Sequence, residues 1–325
     1  MKMTSLAALL AVCGALAAPA ALAQNKVKWD LPSGYGEGNF HTQNLRWFAN
    51  EVKTATNGSV EIQVHSNASL YKLPEIKRSV QSGQVAVGEI LLSNHGNEDP
   101  IFEADMVPYL AAGFENAWKL YTVQKPILQE RLGKQGLRVL YSVAWPGNGI
   151  FNKTPIDSLA SLKGAKFRAY NSLTARFAEE LGAIPTTVQV PELAQAFTMG
   201  IATTMIASPQ IGVDTKAWDY LTSFYDTNAM HPRNAVIVNE REFAKLTPDQ
   251  QSAVLRVAAQ AEVRGWDLAR AAAKGSTDAL AKNGLKVYTP TPAMRADFER
   301  VSQKLIQEWS KKAGPDGEKI VNGMK

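Results

Sequence analysis

Apolar stretches of strand length, each handing over to a helix-period pattern, recur along this chain, and that rhythm constrains the fold more than any other feature. Strand patterns at 27–31, 60–65, 84–92 and 137–143 are interleaved with helical patterns at 40–52, 74–81 and 115–134. Strands alternating with helices imply βαβ units and a mainly parallel sheet. The run 84–92 is apolar enough to be a buried parallel strand. The rhythm then restarts, with strands at 166–168, 186–188 and 202–207, helices at 174–181 and 192–199, and strand candidates at 220–226 and 235–239. Thr247-Pro248-Asp249 offers an N-cap followed by proline in the first turn, and a helical pattern runs from Gln250 past Ala273. At about 1.5 Å per residue, some 25 residues span nearly 40 Å, long enough to brace two lobes. A strand at 285–288 and a helix at 294–311 close the chain. No flexible tether divides the halves, so the expectation is two α/β lobes joined as a hinged clamp, a description that also fits a two-domain enzyme.

The N-terminus is of another kind. Met1-Lys2-Met3 precedes an apolar run over 6–17, and Ala21-Leu22-Ala23 supplies the small residues of a cleavage site. The run is too short for a membrane anchor and is followed by Pro19. Residues 1–23 are therefore expected to be a signal peptide cleaved after Ala23, which places the mature protein in the periplasm. The only cysteine, Cys13, leaves with it, so the mature chain has no disulfide and rests on its core. The full chain carries 35 basic and 30 acidic residues with no block of like charge, which disfavours nucleic acid and suits anionic solutes.

Polar and aromatic residues gather at the expected strand exits. Arg168 ends the 166–168 strand, where an open α/β sheet faces its ligand crevice, and its planar fork of donors matches a carboxylate. Asn94, Trp145, Asn148, Tyr170, Ser208 and Asn234 occupy similar positions, with Trp218 as a further ring. One charge, several amides and hydroxyls, and flat rings make the composition of a recognition pocket. The competing reading of Arg168 is an ordinary ion pair, and Trp145 and Trp218 are equally suited to the core. The glycine-rich loop 32–39 fails as a dinucleotide fingerprint, because Asn39 stands where the third glycine belongs; it serves better to bring backbone and Asn39 or His41 to a ligand.

The common catalytic and metal signatures are missing. The four histidines, His41, His65, His95 and His231, have no metal-binding spacing, and there is no nucleophile elbow or phosphate loop. No metal and no cofactor is implied. His231 or His95 as a base in an exported hydrolase or isomerase is the rival to a binding protein.

Leu162-Lys163-Gly164-Ala165-Lys166-Phe167-Arg168, Leu181-Gly182-Ala183-Ile184-Pro185 and the run 192–200 together resemble the solute-binding proteins of tripartite ATP-independent periplasmic (TRAP) transporters, of the DctP type. The resemblance covers nearly all of the mature sequence, and Trp145-Pro146, Ala217-Trp218-Asp219 and Pro232-Arg233-Asn234 suggest a subgroup with a tryptophan-bearing pocket. It implies a two-lobed periplasmic-binding-protein fold with mixed, mainly parallel sheets, its lobes bridged by strands and a long helix. The expected lobes are 24–145 plus 235–272 and 146–234 plus 273–325. It further implies that Arg168 pairs with a substrate carboxylate and that the ligand passes to a sodium-driven permease of large and small membrane subunits. A sensor that serves a signalling partner is the alternative. Where many members carry Val-Asp-Gly after the glycine matching Gly200, this chain has Ile201-Ala202-Thr203-Thr204-Met205. That departure, with Ser208-Pro209-Gln210 beyond it, turns the expectation from a simple dicarboxylate toward a carboxylate with an apolar or aromatic body.

Overall fold

The computed structural model describes residues 26–324. The expected signal peptide, 1–23, lies outside them. Strand β1 (Val27–Pro32) leads through the glycine-rich loop into α1 (Phe40–Ala55), and β2 (Val60–His65) returns parallel to β1. Asn39 starts α1 as its N-cap, its side-chain oxygen accepting the His41 N–H at 2.8 Å. Helix α2 (Ile76–Gln81) lies on β3 (Val87–Leu91) at Gly88, where a Cβ would stand 2.5 Å from Ile76 Cγ2. Helix α3 (Phe114–Gly133) then precedes β4 (Leu137–Ala144).

The chain next crosses to a second body. Here β5 (Gly149–Asn152), β6 (Lys166–Ala169), α4 (Ser172–Glu180), β7 (Ile184–Thr187), α5 (Leu193–Thr198), β8 (Thr204–Ala207), α6 (Pro209–Asp214) and β9 (Ser223–Tyr225) follow one another. The chain returns through β10 (Arg233–Asn239), which enters between β3 and β4, and continues as α7 (Glu240–Ala244) and α8 (Pro248–Lys282). Finally β11 (Lys286–Tyr288) joins the second body, and α9 (Pro292–Met324), broken by a kink at Gly314, packs on α3.

Three sheets result, in the orders β1-β2, β3-β10-β4 and β11-β9-β5-β8-β6-β7. Pairs β1–β2, β6–β7, β6–β8 and β9–β11 run parallel, whereas β10 and β5, the strands that complete each crossing, are antiparallel to their neighbours. The expectation of a parallel strand at 84–92 is thereby corrected: β3 is buried throughout, but its partner β10 arrives from the opposite direction.

The two crossing segments run side by side. Trp145 N–H donates to Pro232 O at 2.7 Å and Asn148 N–H to Met230 O at 2.8 Å. Between them Gly147 is obligatory, since a Cβ would fall 1.8 Å from Asn228 Oδ1. Helix α8 is the third connection. Its 35 residues span about 52 Å. Its first half packs on α1 and β4, where Asn44 Nδ2 donates to Ala261 O at 2.9 Å and Trp266 Nε1 donates to Ser142 O at 2.9 Å. Its last turns pack on α6, where Ser276 Oγ donates to Gln210 Oε1 at 2.7 Å.

Candidate ligand-binding site

Strands β6, β7 and β8 all end at the face where the two bodies meet. Arg168 and Tyr170 come from the end of β6, Gln189 and Val190 follow β7, and Ala207 and Ser208 end β8. Opposite them stand Tyr35 from the loop after β1, Leu73, and Leu91 at the end of β3, while Trp145, Asn148 and Pro232 come from the crossing segments. Together with Ile211 they line a cavity with about 420 Å³ of empty space, part of it open to solvent. Its place at the carboxyl ends of strands, in the crevice between two bodies, is where α/β sheets bind small molecules.

Arg168 is only 2% exposed, yet no carboxylate lies within salt-bridge distance of it among the described residues. Its Nε donates to Val188 O at 2.9 Å, and its guanidinium carbon lies 4.7 Å from the centre of the Tyr170 ring. Burial pushes its pKa down to about 10, opposed only by the hydroxyls of Tyr170, Tyr220 and Tyr35. The other deeply buried arginine shows what a structural arginine looks like here. Arg233 is fully buried, has its Nε 3.6 Å from Asp105 Oδ2, donates through Nη2 to Gln124, and stacks on Tyr121. A buried cation without a counter-ion is costly. One that faces a cavity has a use when an anion enters.

The rings and amides around it are fixed. Trp145 Nε1 donates to Asn234 Oδ1 at 3.0 Å, and the Tyr35 hydroxyl donates to the same oxygen at 3.4 Å. Phe40, His41 and Tyr35 surround the indole at ring-centre distances of 5.4, 4.4 and 4.8 Å. Asn234 thus stands behind the cavity wall and orients two of its rings, while its Nδ2 finds no protein partner. Asn148 Nδ2 donates to the Tyr170 hydroxyl at 3.1 Å, and that hydroxyl in turn donates to Met106 Sδ at 3.3 Å. Ser208 lines the cavity while its hydroxyl accepts the Ile211 N–H at 3.3 Å, as the N-cap of α6.

Of the residues singled out from sequence, Arg168, Tyr170, Trp145, Asn148 and Ser208 are brought to one cavity, with Asn234 directly behind it. Three are elsewhere. Asn39 caps α1 and reaches Asp214; Trp218 lies half-buried in the 3-10 turn Ala217–Asp219, packed on the core; Asn94 sits in the turn Leu92–His95 with both amide atoms enclosed and unpartnered. The departure at 201–205 supplies no residue to the cavity lining, although Met205 within it pairs with Arg168 between β8 and β6. Sequence reasoning missed Tyr35, Gln189, Leu73, Leu91, Val190 and Ile211. Of these only Tyr35 carried a signal, its place in the glycine-rich loop after a strand.

Neither rival base fits a catalytic role. His95 and His231 are both pushed down to about 4 by burial, and neither lines the cavity. His231 Nδ1 is bound up with Trp145 O at 3.0 Å. Among the described residues no group of three or more His, Cys, Asp or Glu is placed to hold a metal, and no helix is long and apolar enough to cross a membrane.

Residues 34–312 match the family of bacterial extracellular solute-binding proteins, family 7 (DctP). The chain belongs to that family. It is 26% identical to a solute-binding protein of Albidiferax ferrireducens over 292 residues, 87% of this chain and 82% of that one. The crystal structures of DctP6 and DctP7, extracytoplasmic solute receptors of Bordetella pertussis that bind pyroglutamic acid, are each 45% identical to it, with a TM-score of 0.90, and cover 92% of this chain and 99% of theirs. A TRAP solute-binding protein from a marine metagenome, specific for pyroglutamate, is 37% identical at the same TM-score, again over 92% of this chain and 99% of its own. As a DctP-family protein the chain is a TRAP solute receptor and not an enzyme. The family works outside the cytoplasm and with membrane permease components.

Proposed function

We propose that this receptor captures a compact monocarboxylate built on a small ring, of the pyroglutamate kind, and that Arg168 grips its carboxylate. The single observation that carries the reading is the buried guanidinium that faces the cavity without a protein carboxylate. The 45% identity to two receptors that bind pyroglutamic acid supports the same class of ligand. The cavity offers one cation, so a second carboxylate would be buried unpaired, which disfavours four-carbon dicarboxylates. Leu73, Leu91, Val190 and Ile211 suit ring methylenes, and Asn148 and Ser208 suit a lactam's polar edge.

Capture works by differential affinity. Arg168 and Ser208 belong to one body and Tyr35 and Leu91 to the other, so a ligand that touches both favours the closed arrangement over the open one. The lobes taken to move are 24–145 plus 235–272 and 146–234 plus 273–325. The loaded receptor then delivers the acid to a sodium-coupled permease of large and small subunits. Calorimetric titration tests the ligand class: pyroglutamate is expected to bind stoichiometrically at micromolar or lower concentration, and succinate and malate are not. Binding of the dicarboxylates with none of pyroglutamate overturns the assignment.

A further inference from the structure

The ligand cavity has an outer neighbour. A second cavity, with about 1050 Å³ of empty space, shares Tyr35 and Val190 with the first and opens between the glycine-rich loop of the first body and α6 of the second. Across its wall Asn39 Nδ2 donates to Asp214 Oδ2 at 2.6 Å, and Gln210 Nε2 donates to Asp214 Oδ1 at 2.6 Å. Gln210 is in turn held by Ser276 of α8 at 2.7 Å. One carboxylate therefore ties the start of α1 to α6 and, through Gln210, to the bracing helix. Bonds from an ionised acceptor to amide donors are the stronger kind. None of these side-chain contacts involves Arg168 or the residues stacked about it.

We infer that Asn39 and Asp214 form a clasp that holds the two bodies shut and sets how long the ligand stays, as positioning residues that do not touch it. The bond joins α1, packed on the first half of α8, to α6, packed on its last turns, so on this inference rotation of the bodies about the crossings breaks it. Breaking it lowers the population of the closed state and leaves the ligand's own contacts intact. Asn39 also explains itself this way: its oxygen is used by the helix cap and its nitrogen by Asp214, which leaves nothing for a ligand.

The inference rests on the receptor reading, and the test separates the two. In Asn39→Ser the hydroxyl retains the cap and the amide donor is lost; in Asp214→Ala the acceptor is lost. Each variant is expected to release pyroglutamate about tenfold faster in stopped-flow measurements, with an unchanged association rate and ligand-free melting within a few degrees of wild type. The double variant releases it no faster than Asp214→Ala alone, because that variant has already lost the Asn39 bond. Unchanged release, or effects that multiply in the double variant, overturns the clasp. Spin labels on Thr54→Cys and Lys286→Cys report the separation of the bodies without ligand. If wild type fails to bind pyroglutamate, the ligand assignment falls while the clasp is judged by these labels alone: a longer distance in Asp214→Ala supports it and an identical distribution refutes it.

Discussion

If Arg168 grips the ligand as proposed, stability and function stand in opposition within one side chain. The folded chain then bears the cost of an enclosed cation that has no protein carboxylate beside it until the ligand arrives. Arg168→Met, similar in bulk and uncharged, is therefore expected to melt no lower than wild type without ligand, and to lose more than about a hundredfold in affinity by calorimetry. A variant that melts several degrees lower and still binds shows the arginine to be structural. His231 supports a second expectation. It is buried neutral, with its pKa pushed down to about 4, so on acidification the unfolded chain takes up the proton first, near 6.5. Stability is accordingly lost as pH falls from about 6.5 to about 4, by about 2 kcal/mol at pH 5 from this residue, and His95 acts in the same direction. Urea titrations of His231→Asn across that range are expected to show a shallower pH slope; an equal slope contradicts the assignment. What the sequence made legible at this scale was chemistry attached to strand ends. Arg168, Tyr170, Trp145, Asn148 and Ser208 follow from that rule, while Leu73, Val190 and Ile211 reach the cavity from turns and a short helix whose placement only tertiary packing decides. Asn94 and Trp218 show the converse, with suitable residue types that packing turned elsewhere.

Among the elements, α8 carries most of the information about how the bodies are joined. Its length and its N-cap were readable from Thr247-Pro248 onward, but its seat was not. Gly265 lies against β4, where an added Cβ would be 2.3 Å from Val143 Cγ2 and 2.9 Å from Asn44 Nδ2. On an exposed helix face glycine to alanine stabilises by about 1 kcal/mol. Here the sign reverses, because β4 and α1 have to move: Gly265→Ala is expected to cost about 1–3 kcal/mol in chemical denaturation. Gly275, whose Cβ would meet nothing within 4 Å on the same helix, supplies the control, and Gly275→Ala is expected to stabilise. The same limit explains β3. Its largely apolar run, interrupted only by Glu89 between Val85 and Leu92, announced burial on both faces, but direction depends on which strand lies beside it, and β10 comes from a segment about 145 residues further along the chain. Local pattern fixes an element's kind and its buried face; neighbours are set by the crossings.

At the scale of the molecule the proposed capture runs through those crossings. Two hydrogen-bonded segments and one long helix join the bodies, and Gly147 lies in one of them, hard against Asn228. On the proposed reading, a ligand held by Arg168 on one side and packed against Tyr35 and Leu91 on the other favours the closed form. Two measurements then move together. Saturating pyroglutamate is expected to shrink the radius of gyration in small-angle scattering, and at about a hundred times its dissociation constant to add about 2.7 kcal/mol of stability, a rise of several degrees in melting temperature. In Arg168→Met neither change is expected at the same concentration, since the same contact drives both. Stabilisation without contraction points instead to a site that is already shut in the free protein, and the hinge between the crossing segments would then have no part in capture.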